Sequence, residues 1–306
     1  MGDTRGNPGL HRFAVFTAIS TFCLIVAGAL VTSNDAGLSV PDWPLSYGSL
    51  FPPMVGNIRY EHTHRLIAGF VLVLLAGLAI WLRRAEPRAW VRWLGYSALA
   101  AGVGQAILGG ITVLFFLPTL VSVGHACLAQ VIFSATVMLA IVTGRKWRNL
   151  PPAALDPNSP PLSQLAALTA GAVFLQLMMG AAFRHNGFGI LPHLVGAAIV
   201  TALVMWTLYR VISRHSGELG LMRPAGLLGV LLMVQLLLGG ASYLVLEATR
   251  DAPQPLPPMV YTTVAHVAGG ALTLATSVWL LFAARRLLHT AENRREAREG
   301  TVSIST

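Results

Sequence analysis

Nine histidines are spread over the 306 residues, and five of them fall within the first turns of long apolar runs: His62, His64, His125, His193 and His266. A polar side chain at membrane depth is costly and is retained for function by default. One isolated imidazole of this kind could equally be a structural hydrogen-bonding group. Four of the five, however, recur at equivalent places, because the separation of His64 from His193 is nearly that of His125 from His266. Two imidazoles per half of the chain suit one axial ligand from each of two helices, clamping a flat metalloporphyrin. Zinc or copper fits less well, since such sites usually add Cys, Asp or Glu, or a third histidine.

The first half carries a group that the second lacks. Glu61-His62-Thr63-His64-Arg65 places Glu61 three residues before His64, on the same helix face, whereas Ile190, Leu191 and Pro192 precede His193. The asymmetry suggests one site that stores a cofactor and one that performs chemistry. A glutamate beside a heme can stabilise a developing cation or move a proton, the more so where partial burial raises its pKa. Spacing alone also allows Glu61 to be a solvated residue that starts a helix. The remaining histidines, His11, His215 and His289, are expected in solvated segments. His185 is expected at the surface beside Arg184. Cys23 and Cys127 lie inside apolar runs and read as small buried hydrophobes.

The elements that position these groups follow from composition. Only 11% of residues are charged and 55% are hydrophobic, against about 25% charged in ordinary soluble domains. Disordered chains, disulfide scaffolds and soluble enzymes are thereby excluded. About 20 apolar residues cross the bilayer, and eight such runs are present, near 13–33, 62–82, 93–115, 121–143, 163–183, 190–210, 224–246 and 260–284. The first lacks a small-residue cleavage site and is expected to be a retained span. The expected fold class is all-α: a polytopic membrane protein whose eight helices form two pseudo-symmetric four-helix bundles, residues 1–150 and 151–306.

A repeated motif supports that division. Gln105-Ala-Ile-Leu-Gly109-Gly110 recurs as Gln176-Leu-Met-Met-Gly180-Ala181 and as Gln235-Leu-Leu-Leu-Gly239-Gly240, with a weaker version in Leu24-Ile-Val-Ala-Gly28-Ala29. A histidine follows each near the start of the next span. Small residues at recurring positions let helices, or a flat ligand, approach the backbone closely. The net charge of +9 would suggest nucleic acid in a soluble protein, but its distribution argues otherwise. Seventeen of the 21 basic residues, from Arg5 and Arg12 through Arg294, Arg295 and Arg298, fall on one side of the eight spans. That side is the cytoplasm by the positive-inside rule. Both termini are then cytoplasmic, the repeat histidines lie near the outer face, and lipid rather than nucleic acid is the partner of the apolar surface.

With these residues in place the chain resembles the heme A synthase family. The stretch Gly37-Leu-Ser-Val-Pro-Asp-Trp-Pro-Leu-Ser-Tyr-Gly48 followed by Glu61-x-x-His64-Arg65 carries most of the resemblance. Gly124-His125, Pro192-His193-Leu194-Val195-Gly196 and Ala265-His266 add to it. It spans all eight runs, roughly residues 12 to 286. The resemblance implies a plasma-membrane oxidoreductase that converts the C8 methyl of heme O to a formyl group by two hydroxylations and loss of water. The product is heme A, destined for terminal heme-copper oxidases. It further implies that His193 and His266 hold a resident heme b, that His64 and His125 bind the substrate heme, and that Glu61 is the catalytic carboxylate. Heme O synthase and oxidase assembly factors are implied as partners, and the electron acceptor is unspecified. Many members carry two cysteines in the first external loop where Val40 and Ser46 stand here, which places this chain in a cysteine-free subgroup. Arg65, Arg184 and Arg250 are candidates for pairing with heme propionates.

Two other readings use the same residues. A diheme cytochrome b passing electrons to or from quinone explains four histidines but leaves Glu61 without a task. A secondary transporter would explain the repeat, yet the spans hold almost no ionisable groups beyond the outer cluster.

Overall fold

The computed structural model describes residues 7–150 and 154–289. Eight of its helices are long and apolar enough to cross a membrane: α1 (Pro8–Ser33), α2 (Ile58–Ala85), α3 (Ala89–Leu114), α4 (Thr119–Thr143), α6 (Leu162–Arg184), α7 (Leu191–Arg214), α8 (Leu219–Ala248) and α9 (Pro257–Leu287). A single-turn α5 (Arg145–Arg148) follows α4, and two short strands, β1 (Ala154–Leu155) and β2 (Leu288–His289), pair in parallel. The all-α, multi-pass class expected from composition is the one observed. Several helices run a few residues beyond the apolar windows, and at the start of α1 a side-chain cap sets the end. Asn7 accepts a bond from the Leu10 amide and Pro8 occupies the first turn.

Packing follows chain order. Helix α1 packs on α2 and α4 while α3 lies between α2 and α4, so the first four spans close a ring. The spans α6, α7, α8 and α9 close a second ring, and α9 also touches α1 and α4. The buried apolar cluster is concentrated at the end of the bundle where α1 starts and α9 stops. There Leu10, Leu78, Leu82, Leu139, Leu162, Leu221 and Leu280 are almost wholly buried. The same end is stapled by a buried carboxylate. Glu86 accepts from Arg88 and Arg148, and Arg88 also donates to the Val142 carbonyl. Burial pushes the Glu86 carboxyl up, but the two guanidiniums prevail and hold it below the usual carboxylate range.

Three expectations change at this level. His11 is not solvated: α1 begins before it, and its Nδ1 lies 3.0 Å from the Ala140 carbonyl, one of those left free at the end of α4. His215, after the end of α7, is also buried, with Nε2 3.9 Å from Asp156 Oδ1, because the segment before α6 folds back beneath it. Cys23 is exposed; apolar side chains on a spanning helix turn outward as readily as inward, since lipid is their solvent. Arg5, Arg294, Arg295, Arg298 and the side chain of His289 lie outside the described residues.

Candidate functional site

Each repeat glycine meets the histidine that follows it. A methyl group added at Gly28 would lie 3.1 Å from His64 Cε1, at Gly109 3.2 Å from His125 Cε1, at Gly180 3.0 Å from His193 Cε1, and at Gly239 3.1 Å from His266 Cε1. Such contacts are tighter than most real Cβ contacts, so a methyl at any of the four positions would push its imidazole back by a few tenths of an ångström. The repeat glutamines serve the same purpose from a different direction. The side-chain amides of Gln105, Gln176 and Gln235 donate to the backbone carbonyls of His125, His193 and His266 at 3.0, 2.9 and 3.1 Å. Helices α3, α6 and α8 thus hold the first turns of α4, α7 and α9 in one recurrent way, while α1 has Leu24 in place of the glutamine and meets His64 with Gly28.

His193 and His266 face one another, with ring centroids 6.2 Å apart and planes at 83°. His64 lies within electrostatic reach of His125. The Nδ1 atoms of His64, His125 and His266 are buried without a hydrogen-bond partner, as are the amide oxygens of Gln105, Gln176 and Gln235. Unpaired buried polar atoms are uncommon and call for a reason. Among the described residues no group of three or more His, Cys, Asp and Glu converges, so what is offered is paired imidazoles. Paired imidazoles are what a metalloporphyrin takes axially, since its own ring nitrogens supply the remaining positions. The residues present fit that group.

The fifth histidine and the glutamate have other partners. His62 is buried and its Nδ1 lies 2.9 Å from the buried hydroxyl of Ser46. Glu61 is 3% exposed, so it is no solvated helix starter; its Oε2 accepts from the Val40 amide at 2.9 Å and its Oε1 from Arg65. Arg65 is heavily engaged, donating also to the carbonyls of Val40, Asp42 and Leu45 at 3.3, 2.7 and 2.6 Å. The loop before α2 is therefore wrapped around the Glu61–Arg65 pair. Val40 and Ser46 are both inside this wrapping: Val40 donates its amide to Glu61, and the Ser46 hydroxyl shares a hydrogen bond with His62 Nδ1. At the loop's outer side the Asp42 carboxylate accepts from the Gly48 and Tyr47 amides, and the Gly48 bond foremost holds its pKa below the usual value.

The other arginines differ. Arg184, at the end of α6, donates to the Thr32 carbonyl at the end of α1, 2.9 Å away, and so ties the second four spans to the first. His185 is half-buried, with its carbonyl accepting from the Thr119 hydroxyl at 3.4 Å and its ring within electrostatic reach of His125. Arg250 is exposed and 3.7 Å from Glu247. Sequence reasoning singled out neither the Ser46–His62 bond nor the contact of the Trp43 indole with Gly110. The concentration of Pro, Asp, Gly and aromatic residues between 37 and 48 was the available signal for an ordered loop.

A family model described as cytochrome oxidase assembly protein matches residues 11–59 and 57–192, well over half the sequence. The chain belongs to that family. Among curated relatives it is similar to proteins named heme A synthase. The one from Lysinibacillus sphaericus is 30% identical over 139 residues, covering 44% of this chain and 45% of that protein. Those from Bacillus licheniformis (28% over 138 residues, 44% and 46%) and Roseobacter denitrificans (30% over 139 residues, 40% and 35%) are similar to comparable extents. The chain spans about half the length or less of these curated relatives in the matched region. The family match includes Glu61, His64 and His125 and ends at residue 192, so His193 and His266 enter through the repeated glycine–histidine geometry.

Proposed function

We propose that this membrane protein is a heme A synthase, oxidising the C8 methyl of heme O to a formyl group. The single observation that carries this reading is the set of four glycine-backed imidazoles, of which His64 alone has a buried carboxylate, Glu61, three residues before it on the same helix. On this reading residues 1–150 form the half that takes the substrate heme through His64 and His125. Residues 151–306 form the half that keeps heme b between His193 and His266. Bound iron porphyrin supplies the redox chemistry, and protein groups position and tune it.

The chain's own contributions can be stated atom by atom. Gln105, Gln176 and Gln235 fix the backbone of the ligand-bearing turns, which preorganises the imidazoles before any ligand arrives. Glu61 places a fixed negative charge three residues from His64, where it stabilises positive charge developing at the reacting methyl. Its Oε2, bonded only to a neutral amide, is the oxygen that can take a proton while Oε1 keeps its hydrogen bond from Arg65. Arg65 holds the loop over Glu61 and so limits the access of water. Arg184 is the better placed of the outer arginines for a propionate, being near both rings of helices; Arg250, exposed and distant in sequence from the loop cluster, is the weaker candidate. In this account the sites lie near the outer face of the plasma membrane with both termini in the cytoplasm.

The test is co-expression in a cell that makes heme O but not heme A, followed by pigment extraction and mass measurement. Heme A is the expected product. A folded, heme-loaded protein that leaves heme O unchanged would favour the diheme electron-carrier reading instead.

A further inference from the structure

Gly109 and Gly110 are adjacent on α3, yet they meet different rings. Gly109 faces His125, while a methyl at Gly110 would lie 2.9, 3.0 and 3.1 Å from Cδ2, Cε2 and Cε3 of Trp43. Three atoms along the indole's six-membered ring at nearly equal distance mean that the indole lies face-on against the helix at Gly110. Consecutive helical positions are separated by about 100° and 1.5 Å, so the indole and the His125 imidazole meet adjoining positions of one helical turn. The indole nevertheless remains 39% exposed.

Repeat packing does not demand this indole. Gly240 holds the corresponding place in the Gln235–Gly240 motif, and a methyl there would meet nothing within 4 Å. The indole is also held rigidly from the loop side. Arg65 grips the carbonyls of Asp42 and Leu45, which flank Trp43-Pro44, the Asp42 carboxylate takes the Tyr47 and Gly48 amides, and the Tyr47 hydroxyl donates to the Ser39 carbonyl at 2.7 Å. A large aromatic face fixed in advance binds a flat partner with little further loss of entropy.

We propose that Trp43 is a positioning residue for the flat ligand of the first-half site. Its indole packs against the porphyrin held by His64 and His125, and Gly110 is glycine so that the indole can lie there. This rests on the reading that the first half binds a heme. Asp35–Asn57 is then more than a cover: it delivers one wall of the site, and the Glu61–Arg65 pair is what keeps that wall in place.

The experiment measures how fast hemin leaves the purified, hemin-loaded full chain for excess apomyoglobin, with heme counted per chain. Wild type and His125→Ala together identify which kinetic phase belongs to the first half. Trp43→Ala should speed that phase about tenfold, since an aromatic pair plus its buried area is of that order, and Trp43→Phe should restore it to within about threefold. Gly110→Ala should reproduce Trp43→Ala by displacing the ring, whereas Gly240→Ala should change nothing. The second-half phase should be constant throughout, a result that general loosening of the fold would not give. If Trp43→Ala and Gly110→Ala leave the first-half phase at its wild-type rate while two hemes per chain are bound, the proposal is overturned. If His125→Ala removes no heme, the parent reading of a first-half heme fails, and the proposal fails with it.

Discussion

Replacing each histidine-facing glycine by alanine gives a graded set of perturbations whose size can be worked out in advance. At Gly28, Gly109, Gly180 and Gly239 the added methyl would stand 3.0 to 3.2 Å from an imidazole Cε1. Ordinary carbon contacts relax to roughly 3.5–4.0 Å, so each ring must retreat by about 0.5 Å. Metal–ligand distances are satisfied only within about 0.2 Å, and supports behind a ligand typically contribute 10–100-fold in metal affinity. Each substitution should therefore lower heme affinity at its own site by about 10–100-fold, or roughly 1.4–2.8 kcal/mol, while the other site keeps its heme. Gly171→Ala and Gly226→Ala are the controls, since a methyl at either position meets nothing within 4 Å. The assay is heme per chain by pyridine hemochromogen, read alongside a thermal melt to confirm folding. Full heme loading in all four variants would refute the idea that these glycines seat iron ligands. Equal damage from Gly171→Ala would attribute the losses to helix packing instead.

Glu61→Gln keeps an acceptor for the Val40 amide but removes the charge, so both hemes should stay bound while heme A formation falls by about 100-fold or more, the usual scale for a positioned acid–base group; unchanged product in extracted pigment would contradict that role. Ser46→Ala leaves buried His62 without its partner and should destabilise the loop by about 1–3 kcal/mol, seen as faster proteolysis between residues 35 and 57. Glu86→Gln uncouples two arginines at the end where α1 starts and α9 stops and should cost about 2–3 kcal/mol, read as a lower melting temperature. Because Glu86 titrates lower in the folded chain than in the unfolded one, its contribution is complete above the ordinary carboxylate range and is lost as pH falls through its folded value. The gap in melting temperature between wild type and Glu86→Gln should accordingly close as acidification passes below the ordinary carboxylate range.

The spans were legible because each is a long apolar run, and the motif was legible because it repeats: a glutamine four residues before a glycine, with a histidine near the start of the next span, recurs in three places. The loop was not. That Arg65 would spend its guanidinium on the carbonyls of Val40, Asp42 and Leu45, or that Trp43 would lie on Gly110, depends on pairings between residues far apart in sequence, which no periodicity encodes. His11 and His215 show the same limit from the other side. Both sit among charged residues and read as solvated, yet each is covered by a neighbouring segment whose return path is set by tertiary packing. Glu61 was recognised by type and place, while its ion pair with Arg65, one turn on, is the feature that gives the carboxylate its fixed position.

The central claim, that the first half oxidises a heme held by His64 and His125 next to Glu61, is tested most directly by the mass of the pigment made in a heme O-producing host. The account predicts heme A with the wild-type chain and only heme O with His125→Ala, the second-half heme still being present in that variant. A wild-type protein that is folded, carries heme and yields heme O alone would contradict it.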